Sequence, residues 1–275
     1  MSFSLRNTAF PAASAHATSA LVLLTTLVLL PTLAHAQQTI TVGMTDQSSA
    51  SFSPFGPGNG TYDYVAGSEY QELYSGAAFA GGGSPLTIQG IAFASGAHST
   101  HTTATYNLTL RLSTTRAILS TTGADVGRLS TNFAANEGAD ATVVFSGPLT
   151  ANIQAQGLFD LVFPTTPFLY DPSEGNLLLD VVLNQTTSSL DGDGFSFLMD
   201  TSNLMSTPTQ TNRVFQLGGT GAPTFDVAGL YTQFKVSPAA VPEVSTIVSL
   251  GLLLALGMGG VVIAAKRKKN DLFTE

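Results

Sequence analysis

The stretch Tyr106-Asn107-Leu108-Thr109-Leu110-Arg111-Leu112 decides the fold. Large apolar or aromatic side chains fall at every second position, with amide, hydroxyl and guanidinium groups between them. Successive side chains of a strand point to opposite faces, so this pattern gives one dry face and one wet face. Working outward, Leu86 and Ile88, then Ile91 and Phe93, repeat the alternation with a slip of one residue at Gly90, as a β-bulge requires. Residues 157–163 and 177–183 read as two core strands, joined by a turn-rich excursion through Pro164, Pro167, Asp171-Pro172 and Gly175. The run Leu177-Leu178-Leu179-Asp180-Val181-Val182-Leu183 is short and partly β-branched, which favours a strand over a helix. Phe195 with Phe197, Val214 with Phe215, and the series Leu230, Thr232, Phe234, Val236 complete the set, the last strand ending near Val236. Residues 45–60, rich in Ser, Gly and Pro, read as a loop or flexible lead-in. Many short strands, no convincing amphipathic helix and no long internal repeat predict an all-β fold. The architecture expected over residues 37–240 is a β-sandwich of jelly-roll type.

Composition narrows the chemistry. The 275 residues contain no cysteine, which excludes disulfide frameworks, thiolate metal sites and cysteine nucleophiles. The formal charge is −8, and four of the ten basic residues are the consecutive Lys266-Arg267-Lys268-Lys269. The remainder between Gln37 and Val241 is more acidic still, with Arg111, Arg116, Arg128, Arg213 and Lys235 set against fifteen carboxylates. Nucleic acid is therefore not an expected partner, because phosphate binding needs a basic patch.

Both ends carry addresses. Arg6, the apolar run Ala20–Leu30, Pro31 and then Ala34-His35-Ala36 follow the layout of a secretory signal peptide, so residues 1–36 are expected to be removed after Ala36. At the other end, residues 244–265 carry no charge and stop at the basic cluster. As a helix this segment is roughly 33 Å long at about 1.5 Å per residue, enough to cross a hydrocarbon core of about 30 Å. The cations belong on the cytoplasmic side, which leaves the strand-rich body outside.

Residues 241–275 as a unit resemble the PEP-CTERM sorting signal of bacterial exported proteins: Val241-Pro242-Glu243-Val244, then the apolar helix, then the basic cluster. Pro242 and Glu243 match the family's Pro-Glu-Pro tripeptide, while Val244 stands where the second proline belongs and Asn270–Glu275 extends past the usual end. The resemblance implies that an exosortase-like membrane enzyme processes the chain near Val241, Pro242 and Glu243. The strand region, through Tyr70–Ser75, Leu129–Ala134, and Pro167–Pro172 with Gly175–Asp180, is similar to the globular part of other small exported members of this group. That similarity implies the architecture and no particular site.

Few motifs for chemistry remain. His98 and His101 lie three apart in a Ser/Thr-rich stretch without a visible third metal ligand, and no G-x-S-x-G elbow occurs after the signal peptide. Asp191-Gly192-Asp193-Gly194 offers two hard oxygen ligands for calcium, with Asp200 as a possible third, although a hairpin turn explains the same residues. Calcium at Asp191 and Asp193 is the one cofactor the sequence suggests. Glu69 and Glu72, or Asp63 with Glu72, are carboxylate pairs near Tyr62, Tyr64, Tyr70 and Tyr74, the arrangement a glycoside hydrolase would use. The usual alternative for such alternation is a solvated strand face over a core, and sugar binding without catalysis needs only exposed rings and amides. The expectation is thus a non-catalytic exported protein of the cell surface or extracellular matrix, structural or glycan-interacting, with the membrane, a processing enzyme and an exopolysaccharide as partners. The alternatives are a secreted carbohydrate-active enzyme or a permanently anchored single-pass protein.

Overall fold

The computed structural model describes residues 36–44, 49–55, 67–82, 85–96, 102–154, 156–185, 196–200, 209–218 and 221–239. Residues 1–35, the tail from Val241 onward, His98, His101, Asp63, Asp191 and Asp193 lie outside these residues. Among the described residues no helix is long and apolar enough to cross a membrane, and the stretch 244–265 is not among them.

The described chain is a set of antiparallel strands: β1 Gln38–Val42, β2 Ala50–Ser51, β3 Glu69–Tyr74, β4 Leu86–Phe93, β5 Thr102–Thr115, β6 Thr142–Ile153, β7 Leu161–Tyr170, β8 Asn176–Gln185, β9 Phe197–Leu198, β10 Thr211–Gln216, β11 Thr224–Asp226 and β12 Thr232–Pro238. Among the described residues helix is confined to two 3-10 segments, Gly76–Gly82 and Phe133–Ala135. One sheet has the order β1-β12-β4-β7, a second has β11-β10-β3-β8-β5-β6, and β2 pairs with β9. One core joins the two large sheets. It contains Ile88, Phe93, Phe163 and Phe234 from the first and Tyr74, Leu108, Leu110 and Leu179 from the second. The all-β expectation therefore holds, with a sandwich-like pair of layers.

Local readings turn into packing as expected at several points. In β5, Tyr106, Leu108, Leu110 and Leu112 are buried while Asn107, Thr109 and Arg111 stay partly exposed on the other face. The slip in β4 is a true irregularity: Ile88 opposes Val236 and Gly90 opposes Lys235, leaving Gln89 as the extra residue. Residues 177–183 are strand, within β8.

Three expectations need correction. Pro164 and Pro167 do not lie in a turn but inside β7, which begins at Leu161 rather than near Gly157. β7 is the edge strand of its sheet, so a missing N–H need not break a ladder, and both prolines fall where its register with β4 is irregular. The turn shrinks to residues 171–175, where Asp171 accepts from Ser173 N at 2.9 Å. Because β7 and β8 belong to different sheets, this turn carries the chain across the sandwich. The lead-in over residues 45–60 is also not a free loop where it is described. It includes β2, and Phe55 is 3% exposed. Its ring touches Phe93, Phe163, Tyr106 and Phe197 with centroids 4.8–5.8 Å away, and Tyr106 Oη donates to Phe55 O at 2.8 Å. Phe55 plugs one end of the core from a segment outside both large sheets. Finally, the face of β3 that bears Tyr70 and Tyr74 is not solvated.

Truncating a buried phenylalanine costs about 3–5 kcal/mol in lost transfer energy and cavity. Phe55→Ala is expected to lose that much in urea-induced unfolding while the far-UV spectrum stays β-type, and Phe55→Leu to lose less than half of it. An unchanged midpoint for Phe55→Ala would show that the plug is not part of the cooperative unit.

Candidate functional site

β3, Glu69-Tyr70-Gln71-Glu72-Leu73-Tyr74, carries the carboxylates that the sequence singles out. Period two sends Tyr70, Glu72 and Tyr74 to the sandwich interior and Glu69, Gln71 and Leu73 to the outer face of the six-stranded sheet. Glu69 and Glu72 thus sit on opposite sides of one strand. They do not form a pair across a substrate.

Glu72 is fully buried. Its Oε2 accepts from Tyr70 Oη at 2.6 Å and its Oε1 from Leu230 N at 2.7 Å. Gly229 makes this approach possible, because a Cβ there would collide with Glu72 Oε1. Across the ladder Glu72 opposes Arg213, and Arg213 opposes Asp226. Arg213 donates to Asp226 Oδ2 from Nη2 at 2.7 Å and from Nε at 3.2 Å, and to Ser51 Oγ at 2.8 Å. Burial drives the Glu72 carboxyl up to about 8, against the pull of its hydrogen bonds and of Arg213. Burial likewise holds the Tyr70 and Tyr74 phenols well above their ordinary range. Tyr74 Oη is paired with Thr232 Oγ1 at 3.1 Å. The two rings belong to the core, so they are not platforms for a sugar.

Asp200, the suggested third calcium ligand, is also committed. Its Oδ1 accepts from Met44 N and its Oδ2 from Thr211 Oγ1, each at 2.8 Å. Among the described residues no group of three or more acids and imidazoles is arranged around a metal-sized space.

The outer face has a lid of its own. Residues 116–141, between β5 and β6, fold over it and place Leu129 and Phe133 against Leu73, Leu178 and Val214. Buried amides fasten this cover. Asn136 Nδ2 donates to Gln71 Oε1 at 2.8 Å, Gln71 Nε2 to Phe133 O at 3.1 Å, and Asn212 Oδ1 accepts from Ser120 N at 2.5 Å. Beside them Arg111 Nη1 binds Asp180 Oδ2 at 2.7 Å, with Glu137 at 3.7 Å. Burial, then the Asp180 charge, pushes Glu69 up to about 7, and burial raises Asp180 against the opposing pull of Arg111.

Between the end of β5 and this cover lies a groove of about 560 Å3, lined among others by Thr114, Arg116, Arg128, Ser130 and Glu137. A cavity of that size suits a small ligand. Motif reading misses it. The signal present in the sequence is the crowding of Arg111, Arg116 and Arg128, three of the five basic residues between Gln37 and Val241, into one short segment. Elsewhere on the outer face β5 and β6 form a partly exposed polar ladder: Thr103 with Asn152, Thr105 with Thr150 and Thr109 with Ser146, at 3.0–3.1 Å.

Two outcomes follow from the buried carboxyl. An unfolded Glu ionises near 4.5, whereas folded Glu72 keeps its proton to about 8, so the folded state holds the extra proton between those values. Stability is expected to fall as pH rises from about 4.5 to about 8, with Glu69 adding in the same direction up to about 7. Glu72→Gln, which keeps an acceptor for Leu230 N, should flatten this slope in urea titrations run at successive pH values; an unaltered slope would remove Glu72 as its source. Gly229→Ala forces a methyl against Glu72 and is expected to cost about 1–3 kcal/mol by the same measurement.

Compared with known proteins, the chain matches no family model, no curated protein and no solved structure.

Proposed function

We propose that this chain is an exported protein of the cell surface or extracellular matrix, structural or glycan-interacting and non-catalytic, built on a jelly-roll sandwich and delivered by sorting signals at its two ends. The fold assignment rests on strand order. Setting aside the β2–β9 pair and the β10–β11 hairpin, the layers are β1-β12-β4-β7 and β3-β8-β5-β6. The chain changes layer at every step except the β5–β6 hairpin, which is the winding of a jelly roll. β10–β11 then extends the second layer beyond β3.

The observation that supports the sorting reading is where β12 lies in the chain. β12 ends at Pro238, and Ala239 N makes a last hydrogen bond to Pro85 O at 3.1 Å. Val241-Pro242-Glu243 follows within a few residues, so a cut there falls past every strand among the described residues. A proline has no N–H to give to a sheet and biases the residue before it toward an extended backbone. The apolar segment 244–265 and its four cations supply the membrane hold and its orientation.

The body supports interaction more than catalysis. Glu72 is enclosed by Tyr70, Leu230 and the core, and Glu69 faces the other way. What the surface offers instead is hydroxyls, amides and a groove with two arginines. Permanent single-pass anchoring is the second reading, favoured by Val244 in place of the second proline.

Expression with an exosortase system, followed by fractionation and intact mass, separates the two readings. Sorting predicts a product that begins near Gln37 and lacks Lys266–Lys269, and Pro242→Ala with Glu243→Ala should leave the full tail in the membrane fraction. A mature product that keeps the basic cluster contradicts processing, and full-length protein in the cytosol contradicts export altogether.

A further inference from the structure

We propose that the groove between the end of β5 and the 116–141 cover binds the carboxylate groups of an acidic polysaccharide through Arg116 and Arg128. This rests on the glycan-interacting reading above and assigns its ligand class and site. The argument starts from charge pairing. Of the basic residues after the signal peptide and before the tail, Arg111 and Arg213 are each neutralised by an aspartate at 2.7 Å. Arg116, Arg128 and Lys235 have no ion pair among the described residues, and two of these three line one groove. In a chain so rich in carboxylates, two cations without an ion pair in one groove mark a place where negative charge is supplied from outside. The groove's own carboxylate, Glu137, lies 3.7 Å from Arg111, which draws its charge away from the other two.

The geometry fits an immobilised site. The Arg128 guanidinium sits 4.2 Å over the Phe225 ring, and Nη1 donates to Leu129 O at 2.9 Å, so this side chain is held in place before a ligand arrives. Arg116 is exposed and free to close on it. Guanidinium groups grip carboxylates in a planar two-point contact, and Ser130 among the lining residues brings a hydroxyl that suits a hydroxyl-bearing ring. Volume and charge spacing favour a sugar acid over a polyphosphate. A space of about 560 Å3 takes a unit of two or three sugars, with one charge per ring. A nucleic acid, at one charge per roughly 1.7 Å of duplex, would need many more cations than two.

Titration calorimetry of the full-length protein in detergent, with oligogalacturonate as the acidic probe and maltohexaose as the neutral one, tests the assignment. Binding of oligogalacturonate is expected to weaken about fivefold in Arg116→Gln and more in Arg128→Gln, and to fade in high salt. Lys235→Gln removes the same charge from the other sheet and should leave affinity unchanged. Among the described residues the Arg116 side chain makes no hydrogen bond or ion pair, so its variant stands as the primary test, and an unaltered melting temperature qualifies each arginine variant. Equal losses in Lys235→Gln, or none in either arginine variant, overturn the site. If both sugars bind equally and independently of the arginines, glycan interaction stands and this groove falls. If neither binds, both fall. Arginine-dependent binding to phosphatidylglycerol vesicles without binding to oligogalacturonate overturns the saccharide assignment.

Discussion

Water reaches little of either face of β3, and that constraint organises the rest of the molecule. A strand reading Glu-Tyr-Gln-Glu-Leu-Tyr brings a carboxyl, two phenols and an amide into the dry interior. Each buried polar group is costly unless it finds a partner. On the inner side Glu72 takes Tyr70 and the Leu230 amide, and Tyr74 takes Thr232. On the outer side Gln71 is matched by Asn136 and the Phe133 carbonyl. These matches come from segments far away in sequence, so completing β3 fixes the 229–232 corner and the 116–141 cover in the same stroke.

How much of this was legible beforehand follows from the range of each interaction. The alternation of residues 106–112, the slip at Gly90 and the extended run 177–183 are local properties, and all reappear as strands or a bulge. The prolines of β7 mislead because their tolerance depends on which strand is the edge, a fact of sheet order that no window of sequence contains. Phe55 misleads for a similar reason. Its Ser/Gly/Pro surroundings describe a loop, while its burial depends on four rings contributed by β4, β5, β7 and β9.

The candidate sites divide along the same line. Spacing in sequence placed Glu69 and Glu72 near tyrosines, and the structure keeps that proximity while setting the two acids on opposite sides of the sheet. The arginine groove was visible only as an imbalance in the distribution of charge. Its walls come from the end of β5 and from residues 127–139, which meet because the cover turns back over the sheet. The suggested ion turn at Asp191 and Asp193 and the histidines lie outside the described residues.

The position of β12 has a mechanical consequence. It lies between β1 and β4, antiparallel to both, with five residue pairs on one side and seven on the other. A body moored through the residue after Pro238 and tugged from its opposite end would drag this strand lengthwise between its neighbours. The rungs of both ladders then share the load together instead of parting one after another, as they would in a peeled edge strand. Traction applied along β12 would therefore meet both ladders in shear.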